Sequence, residues 1–210
     1  MKDPFNILVA GVGGQGNIVC GRILAEAAVL EGLRPVVGDT FGASRRGGSV
    51  TTHVRIGRKD WGPLIPSGQV HILLGLETME TYRAAVSLAG PKTAVLVADT
   101  MIPTQEINAG RQSYQPFETY TRHLSAVCRH ETALVYPIHT ERALVELRSP
   151  RALNVYMIGV TAGLFQEPLQ LESIRESVKV VLGSDGINMR AFEMGVKAGG
   201  MIEPEGPFLG

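Results

Sequence analysis

The chain has 210 residues, of which 44% are hydrophobic and 19% are charged, and its twenty basic residues balance its twenty acidic ones. This composition excludes wholesale disorder and fibrous or collagen-like structure, and it suits one globular domain. A net charge of zero provides no global positive field to hold nucleic acid or an anionic membrane. We therefore expect neither nucleic acid nor a membrane as a partner.

Two cysteines, Cys20 and Cys128, are too few for a disulfide framework, a four-thiolate zinc site or a four-thiolate iron–sulfur cluster. Reduced, buried thiols fit a cytoplasmic protein. The first apolar run, residues 7–10, is too short for a secretory signal or a membrane span. We therefore expect a cytoplasmic chain that binds no metal of its own.

Strands and helices alternate along the first part of the chain. A buried strand at residues 7–10, a glycine turn at 11–16, a helix at 18–30 and a second strand at 35–39 predict a βαβ unit. After a loop at residues 40–49, the patterns predict three more strands and one helix. The strands are residues 50–56, 70–74 and 94–98, and the helix is residues 77–88.

The second part of the chain is predicted to be mainly helical. Residues 101–116 are polar and contain two prolines, so a loop and an irregular edge strand both remain open. A last strand is predicted at residues 133–136, and helices at 117–128, 140–147, 151–164, 171–182 and 188–197. The whole pattern predicts an α/β, Rossmann-like, mostly parallel sheet with helices on both faces. One domain, residues 1–198, would be followed by a Gly- and Pro-rich tail, residues 199–210.

The turn after the first strand carries the strongest local motif. Gly11, Gly13 and Gly16 match G-x-G-x-x-G between a strand and a helix, with Gly14 and Gln15 inside the motif. Such a turn brings the free N–H groups of a helix start close to a phosphate. Asp39 lies where a ribose-binding acid would follow in a dinucleotide site. A dinucleotide site, a turn needed only for packing, and a site for another anion or a partner's loop all remain open.

A second candidate site is the loop Ser44-Arg45-Arg46-Gly47-Gly48. Guanidinium groups are forked donors for phosphate or carboxylate, and glycines permit bends that expose backbone N–H groups. A solvated surface turn is the alternative. For hydride transfer, an enzyme also needs a proton donor or acceptor beside its substrate, and no Lys, His or Tyr stands in a recognisable catalytic setting.

Several short motifs follow one another in order and at close spacing. They are residues 11–16 (GVGGQG), 38–42 (GDTFG), 46–50 (RGGSV), 53–57 (HVRIG), 63–66 (PLIP), 73–77 (LLGLE) and 188–195 (NMRAFEMG). This series closely resembles the gamma subunit or domain of 2-oxoacid:ferredoxin oxidoreductases, and most of all the beta subunits of the indolepyruvate ferredoxin oxidoreductases. The resemblance spans roughly residues 5–197. The family usually has Gln where Arg45 stands here.

The resemblance implies a role within a larger enzyme. The family oxidatively decarboxylates a 2-oxoacid, passes the acyl group to coenzyme A and passes the electrons to ferredoxin. For this chain, the resemblance implies indolepyruvate or another aryl pyruvate as the 2-oxoacid. Thiamine diphosphate, magnesium and iron–sulfur clusters are expected on a large catalytic partner subunit, so this chain would be noncatalytic and inactive when isolated. The glycine turn and the arginine loop become candidates for holding coenzyme A or for docking the partner.

Two alternatives to this interpretation stay open. The glycine turn and Asp39 would also suit an NAD(P)-dependent dehydrogenase, and the chain would also suit a pure scaffold that binds no ligand. The histidines, Cys20 and Trp61 are the remaining candidates, and each has a structural interpretation. We expect His53 and His71 to be hydrogen-bonded within strands, Cys20 to pack in the core, and the other histidines, His123, His130 and His139, to lie on the surface. Trp61 suits either an interface anchor or a side chain folded onto the core.

Overall fold

The computed structural model describes residues 2–42, 48–103, 113–127, 134–184 and 186–203. Within these ranges six strands form one sheet. They are β1 (Phe5–Val12), β2 (Arg34–Phe41), β3 (Ser49–Gly57), β4 (Ile72–Gly75), β5 (Ala94–Ala98) and β6 (Val135–Ile138). Their order across the sheet is β2-β3-β1-β4-β5-β6.

The described helices are seven α-helices and one 3₁₀ turn. They are α1 (Asn17–Leu30), α2 (Thr78–Leu88), α3 (Phe117–Val127), α4 (Glu141–Leu147), the 3₁₀ turn Pro150–Ala152, α5 (Leu153–Leu164), α6 (Leu171–Leu182) and α7 (Ile187–Gly199). No strand forms in the described parts of residues 101–116. Across all the described ranges, no helix is long and apolar enough to cross a membrane.

The directions of the strands confirm the mostly parallel α/β sheet. β1, β4, β5 and β6 are parallel neighbours, whereas β3 runs antiparallel to both β1 and β2. β1 and β2 therefore point the same way, as a βαβ unit requires, but β3 lies between them. β2 and β3 form one long antiparallel ladder from Arg34↔Gly57 to Phe41↔Val50, which leaves the other edge of β3 to pair with β1.

Each face of the sheet buries its own apolar core, as predicted. On the first face, Ile7, Val9 and Leu74 pack beneath α1, α5, α6 and α7. On the second face, Leu8 and Val95 pack beneath α2 and α3. Because successive strand residues point to opposite faces, the continuous apolar run of β1 supplies both cores at once.

Over β2 and β3, the second face is covered by the segment of residues 58–70 rather than by a helix. The buried guanidinium of Arg55 holds this segment, because its Nη1 donates to Gly62 O (2.8 Å) and Leu64 O (3.1 Å). His53 Nδ1 accepts from Ile65 N (3.1 Å), which confirms its structural hydrogen bond. Burial lowers the pKa of His53, so the neutral, accepting form persists.

Helices α5 and α7 approach each other very closely. Each carries two glycines four residues apart, Gly159 and Gly163 on α5, and Gly195 and Gly199 on α7. A Cβ at any of these four positions would lie 2.1–2.2 Å from a carbonyl oxygen of the facing helix. The missing side chains therefore set the separation of the two helices, as small residues do wherever helix backbones meet.

Candidate functional site

The glycine turn joins β1 to α1 by two residues with positive φ. Gly14 has a φ of 101° and Gly16, which caps α1, has a φ of 90°. Only glycine adopts such angles without strain. The middle glycine of the motif, Gly13, donates its N–H to Gly48 O at 2.9 Å. The turn is thereby tied to the start of β3, so the structure brings Gly48 of the second predicted site against the first.

Two of the motif glycines are also required by close packing. A Cβ at Gly16 would lie 2.2 Å from Nδ2 of Asn154, at the start of α5. A Cβ at Gly11 would lie 2.6 Å from Gln15 Oε1 and 2.8 Å from Asn17 Oδ1. The packing interpretation of the motif therefore accounts for part of it, whereas no atom lies within 4 Å of a Cβ built at Gly14.

Gln15 occupies the place where chain direction across the sheet reverses. From β1 the chain turns towards β2 and β3, whereas β4 leads on to β5 and β6. Ligands of open α/β sheets bind in the crevice at such a switch point. Here Gln15 Nε2 donates to Leu76 O (2.8 Å), just beyond β4, and Gln15 Oε1 accepts from Val12 N (2.9 Å). The side chain bridges the crevice that a dinucleotide would need.

Asp39 is likewise engaged within the protein. Its Oδ1 accepts a hydrogen bond of 2.6 Å from Thr52 Oγ1, on the neighbouring strand β3. Because β3 separates β2 from β1, Asp39 stands one strand further from the glycine turn than the acid of a dinucleotide fold. These two features do not favour the dehydrogenase alternative.

The start of α1 faces an open cavity of about 630 Å³. No side chain caps the helix, and the N–H groups of Asn17, Ile18 and Val19 donate to no acceptor among the described residues. Such free donors, with the positive end of the helix dipole, favour an anion. The cavity wall is otherwise apolar and glycine-rich. It comprises Val12, Gly13, Gly14, Gly16, Asn17, Ile18, Val19, Phe41, Gly42, Gly48 and Val50.

The arginine loop falls mainly outside the described residues. Ser44, Arg45, Arg46 and Gly47 are not described, and only Gly48 of that predicted set is. The described residues that flank the gap, Gly42 and Gly48, both line the cavity at the start of α1. Gly42 N donates to Ser49 O at 2.8 Å, which closes the β2–β3 ladder beside the cavity.

A family model described as pyruvate ferredoxin/flavodoxin oxidoreductase matches residues 6–198. The chain belongs to this family. The resemblance read from the motif series is thereby confirmed.

Individual relatives agree with the family assignment. The chain is 33% identical over 193 residues to an indolepyruvate oxidoreductase subunit IorB from Archaeoglobus fulgidus, which covers 91% of this chain and 93% of that protein. It is 29% identical to the subunit of the same name from Pyrococcus horikoshii, over 94% of this chain and 96% of that protein. Both relatives are thus matched over nearly their full length.

Solved structures of the family share the fold. A keto/oxoacid ferredoxin oxidoreductase gamma subunit from Geobacter sulfurreducens superposes with a TM-score of 0.62 at 20% identity, covering 93% of this chain and 98% of that one. A 2-oxoglutarate:ferredoxin oxidoreductase from Magnetococcus marinus, solved with 2-oxoglutarate, coenzyme A and succinyl-CoA bound, superposes with a TM-score of 0.71 at 21% identity. That match covers 99% of this chain but 33% of the other, so the same fold occurs there as one part of a longer chain.

A second cavity, of about 430 Å³, lies on the other side of the glycine turn. It shares Val12, Gly13 and Gly14 with the first cavity and is closed by Thr100 and Ile102 beyond β5. Arg151, in the 3₁₀ turn, is the one charged side chain among its described lining residues. Sequence reasoning missed this cavity because nothing near the glycine motif points to a segment so distant along the chain.

Glu77 is a further residue whose role only the fold reveals. It is buried at the start of α2, where its Oε2 accepts from Glu80 N (2.7 Å). Its Oε1 accepts from Tyr114 Oη (2.8 Å) and Ile102 N (3.3 Å). Burial raises the pKa of Glu77 despite these hydrogen bonds. The side chain anchors the connection that follows β5, whereas the sequence indicated only the motif at residues 73–77 and a favourable place for an acid at the start of the helix.

The described cysteine, histidine and tryptophan side chains outside these cavities have structural roles. Cys20 is buried, and burial raises its pKa to about 12. His71, one residue before β4, accepts from Asn6 N (2.9 Å) through Nδ1. Trp61 is folded onto its own chain, with its ring centroid 5.4 Å from the Arg55 guanidinium carbon.

His123 and His139 are exposed, whereas Cys128 and His130 lie outside the described residues. In the described ranges, no group of three or more His, Cys, Asp or Glu could hold a metal ion.

Proposed function

We propose that this chain is the small, noncatalytic subunit of a thiamine-dependent indolepyruvate:ferredoxin oxidoreductase. The complex would oxidatively decarboxylate an aryl pyruvate, pass the acyl group to coenzyme A and deliver the electrons to ferredoxin. The observation that carries the proposal is the near full-length match to proteins named indolepyruvate oxidoreductase subunit IorB. More distant matches, a ketoisovalerate oxidoreductase subunit and a 2-oxoglutarate synthase subunit, are each 26% identical.

The proposal assigns the redox cofactors to a catalytic partner subunit. The donor set of this chain supports that division, because two cysteines cannot supply the four thiolates of a usual iron–sulfur cluster. The longer chain from Magnetococcus marinus, one third of which matches this fold, supports a close association between this domain and the remaining parts of such an enzyme. Thiamine diphosphate would supply the carbanion chemistry on the partner, where magnesium is also expected.

Within the complex, we assign the cavity at the start of α1 to coenzyme A. Free N–H groups of Asn17 and Ile18 suit a phosphate oxygen, and the apolar wall that includes Val50 and Phe41 suits an uncharged chain. Arg45 and Arg46, beyond the described residues, would add guanidinium donors to the same anion. The chain's own residues would thus bind and orient the acyl acceptor and take no part in bond making.

The complex itself is tested by co-expressing this chain with its large partner. We expect a stable complex that contains iron and thiamine diphosphate and reduces ferredoxin with indolepyruvate and coenzyme A. The isolated chain should reduce neither ferredoxin nor a dye with any 2-oxoacid. Activity of the isolated chain would overturn the noncatalytic assignment, and a complex active on pyruvate or 2-oxoglutarate but not on aryl pyruvates would overturn the substrate.

Coenzyme A binding is tested by introducing a negative charge at the start of α1. Ile18 is 41% exposed on the cavity wall, so Ile18→Glu places a carboxylate there without disturbing the core. Calorimetry on the complex should show coenzyme A binding weakened by about tenfold or more, since like charges repel near a helix N-terminus. Val86→Glu, at a 56% exposed position on α2, is the matched control.

The arginine loop is tested in the same assay. Replacing Arg45 and Arg46 together by Ala should weaken coenzyme A binding, whereas Arg58→Ala, beyond the opposite end of β3, should not. If both the Ile18→Glu and the double arginine variant keep full affinity, the subunit is a scaffold that does not touch coenzyme A.

A further inference from the structure

A third cavity, of about 350 Å³, lies far from the glycine turn, between α4 and α7. Its apolar part is formed by Ala143 of α4, by Met194 and Ala198 of α7, and by Met201 just beyond that helix. The volume is at the lower end of the range for small-molecule sites, about 300–1,000 Å³. None of its residues belongs to the cavities at the glycine turn.

Two cations from the facing helices line this cavity. Arg142 of α4 and Lys197 of α7 form no ion pair or hydrogen bond with any described residue. The acid among the lining residues, Glu146, is instead paired with Arg190 at 3.3 Å. The cavity therefore carries two positive charges, and the one carboxylate among its described lining residues, Glu146, is already paired with Arg190.

A hydroxyl at the cavity wall supplies a further observation. Tyr156 of α5 is 5% exposed as a whole residue and lines the cavity. Its hydroxyl does not belong to the buried polar atoms that lack a partner, so it reaches the open space of the cavity, where it can donate to a ligand. Burial and the neighbouring Asp99 carboxylate raise the pKa of Tyr156, which keeps the hydroxyl protonated and able to donate.

The imidazole of His139 is oriented beside the same cavity. Asp99 Oδ2 lies 3.1 Å from His139 Nδ1, and Asp99 is itself held through Oδ1 by Thr140 N at 2.9 Å and Thr140 Oγ1 at 2.7 Å. A carboxylate that fixes one ring nitrogen leaves the other ring nitrogen defined in direction. An otherwise exposed histidine is thus given one orientation at the rim of the cavity.

We propose that this cavity binds a small organic carboxylate with a compact apolar body. Arg142 and Lys197 would hold the carboxylate, Tyr156 would donate to one of its oxygens, and the two methionines would cover the apolar body. An organic carboxylate is favoured over a bare inorganic anion because one side of the cavity is apolar. An aromatic ring suits the apolar body of the ligand, because the sulfur atoms of the two methionines make favourable contacts with aromatic rings. The site is separate from the proposed coenzyme A cavity and does not depend on that proposal.

The experiment uses the full chain with its methionines labelled at the methyl carbon. Phenylacetate is titrated and the methyl signals are followed by NMR. We expect saturable shifts at Met194 and Met201, which line the cavity, and none at Met157, which is fully buried elsewhere in α5. Phosphate and cyclohexylmethanol, added separately, distinguish an anion-only site and an apolar-only site from the proposed one.

Variants then test the polar groups one by one. Arg142→Gln with Lys197→Gln should weaken phenylacetate binding by about tenfold or more, and Tyr156→Phe by several-fold, which are the ordinary effects of losing charged and neutral hydrogen bonds. Arg122→Gln, at an exposed position on α3 without a described partner, is the matched control and should change nothing. Circular dichroism and thermal melting confirm that each variant is folded.

The proposal fails in three ways that the experiment separates. Absence of saturable shifts at Met194 and Met201 would show that the cavity binds no such ligand. Equal affinity for phosphate would show an anion site without the apolar requirement. Unchanged affinity in the Arg142 and Lys197 double variant would show that the cations do not recognise the carboxylate. None of these results bears on coenzyme A binding at α1.

Discussion

Gly159 of α5 and Gly195 of α7 meet backbone to backbone. A Cβ at Gly195 would lie 2.1 Å from Tyr156 O, and a Cβ at Gly159 would lie 2.2 Å from Phe192 O. The contact seals the largest apolar cluster, in which Phe192 is fully buried. It also places Tyr156 and Met194, one from each helix, beside the cavity between α4 and α7.

This contact predicts that Gly195→Ala separates the two helices. The added methyl group meets backbone that a rotamer change cannot move, so we expect the free energy of unfolding to fall by about 3 kcal/mol, at the upper end for overpacking a core. Urea unfolding measures the change. Gly62→Ala is the control, because nothing lies within 4 Å of a Cβ at that position. A loss of stability equal to that of the control would contradict the close contact.

Gln15 is predicted to stabilise the fold through both ends of its amide. Gln15→Met keeps the length of the side chain but leaves Val12 N and Leu76 O without their partner. We expect the free energy of unfolding to fall by about 1–3 kcal/mol, the cost of leaving such groups unpaired. Gln69→Met, at an exposed position, should have little effect. Saturable NADH binding by the wild-type chain would instead show that the crevice can open.

Glu77 is predicted to make stability depend on pH. Because burial raises the pKa of Glu77 in the folded chain, folding favours the protonated carboxyl. The contribution of Glu77 to the free energy of unfolding therefore falls as the pH rises from the pKa of the unfolded chain through that of the folded chain. Glu77→Gln cannot titrate. Its stability relative to the wild type should therefore increase as pH rises above 4.5. Chemical unfolding over a pH series measures this difference, with Glu118→Gln, exposed on α3, as the control variant.

His71 should act at the acid end with the opposite sign. Burial lowers its pKa from 6.5 to about 4, and its Nδ1 must stay unprotonated to accept from Asn6 N. The unfolded chain takes up the proton first, so this contribution to stability is lost as pH falls from 6.5 to 4. His71→Asn should lose less stability over that interval than the wild type. The control is His123→Asn, at an exposed histidine. If the free energy of unfolding of both variants depended on pH in the same way, the role assigned to His71 would be contradicted.

Local patterns in the sequence determined the elements of this protein and its family. The apolar run in β1 and the helical spacing in α1 depend on neighbours along the chain, and the glycine turn depends on local φ angles, so each could be predicted without the fold. The motif series carried the family resemblance because its residues follow one another closely. The ligand-binding role assigned to residues 44–48 remains a prediction.

Only the tertiary structure decided how these elements meet. That β3 lies between β1 and β2, that Gln15 reaches Leu76 and that Gly159 meets Gly195 are contacts between distant segments, and no local pattern specifies them. The same holds for the cavity between α4 and α7, because Arg142, Tyr156 and Lys197 come from three different helices. Strand pairing and helix packing are set by the mutual fit of whole surfaces, and a sequence shows those surfaces only one residue at a time.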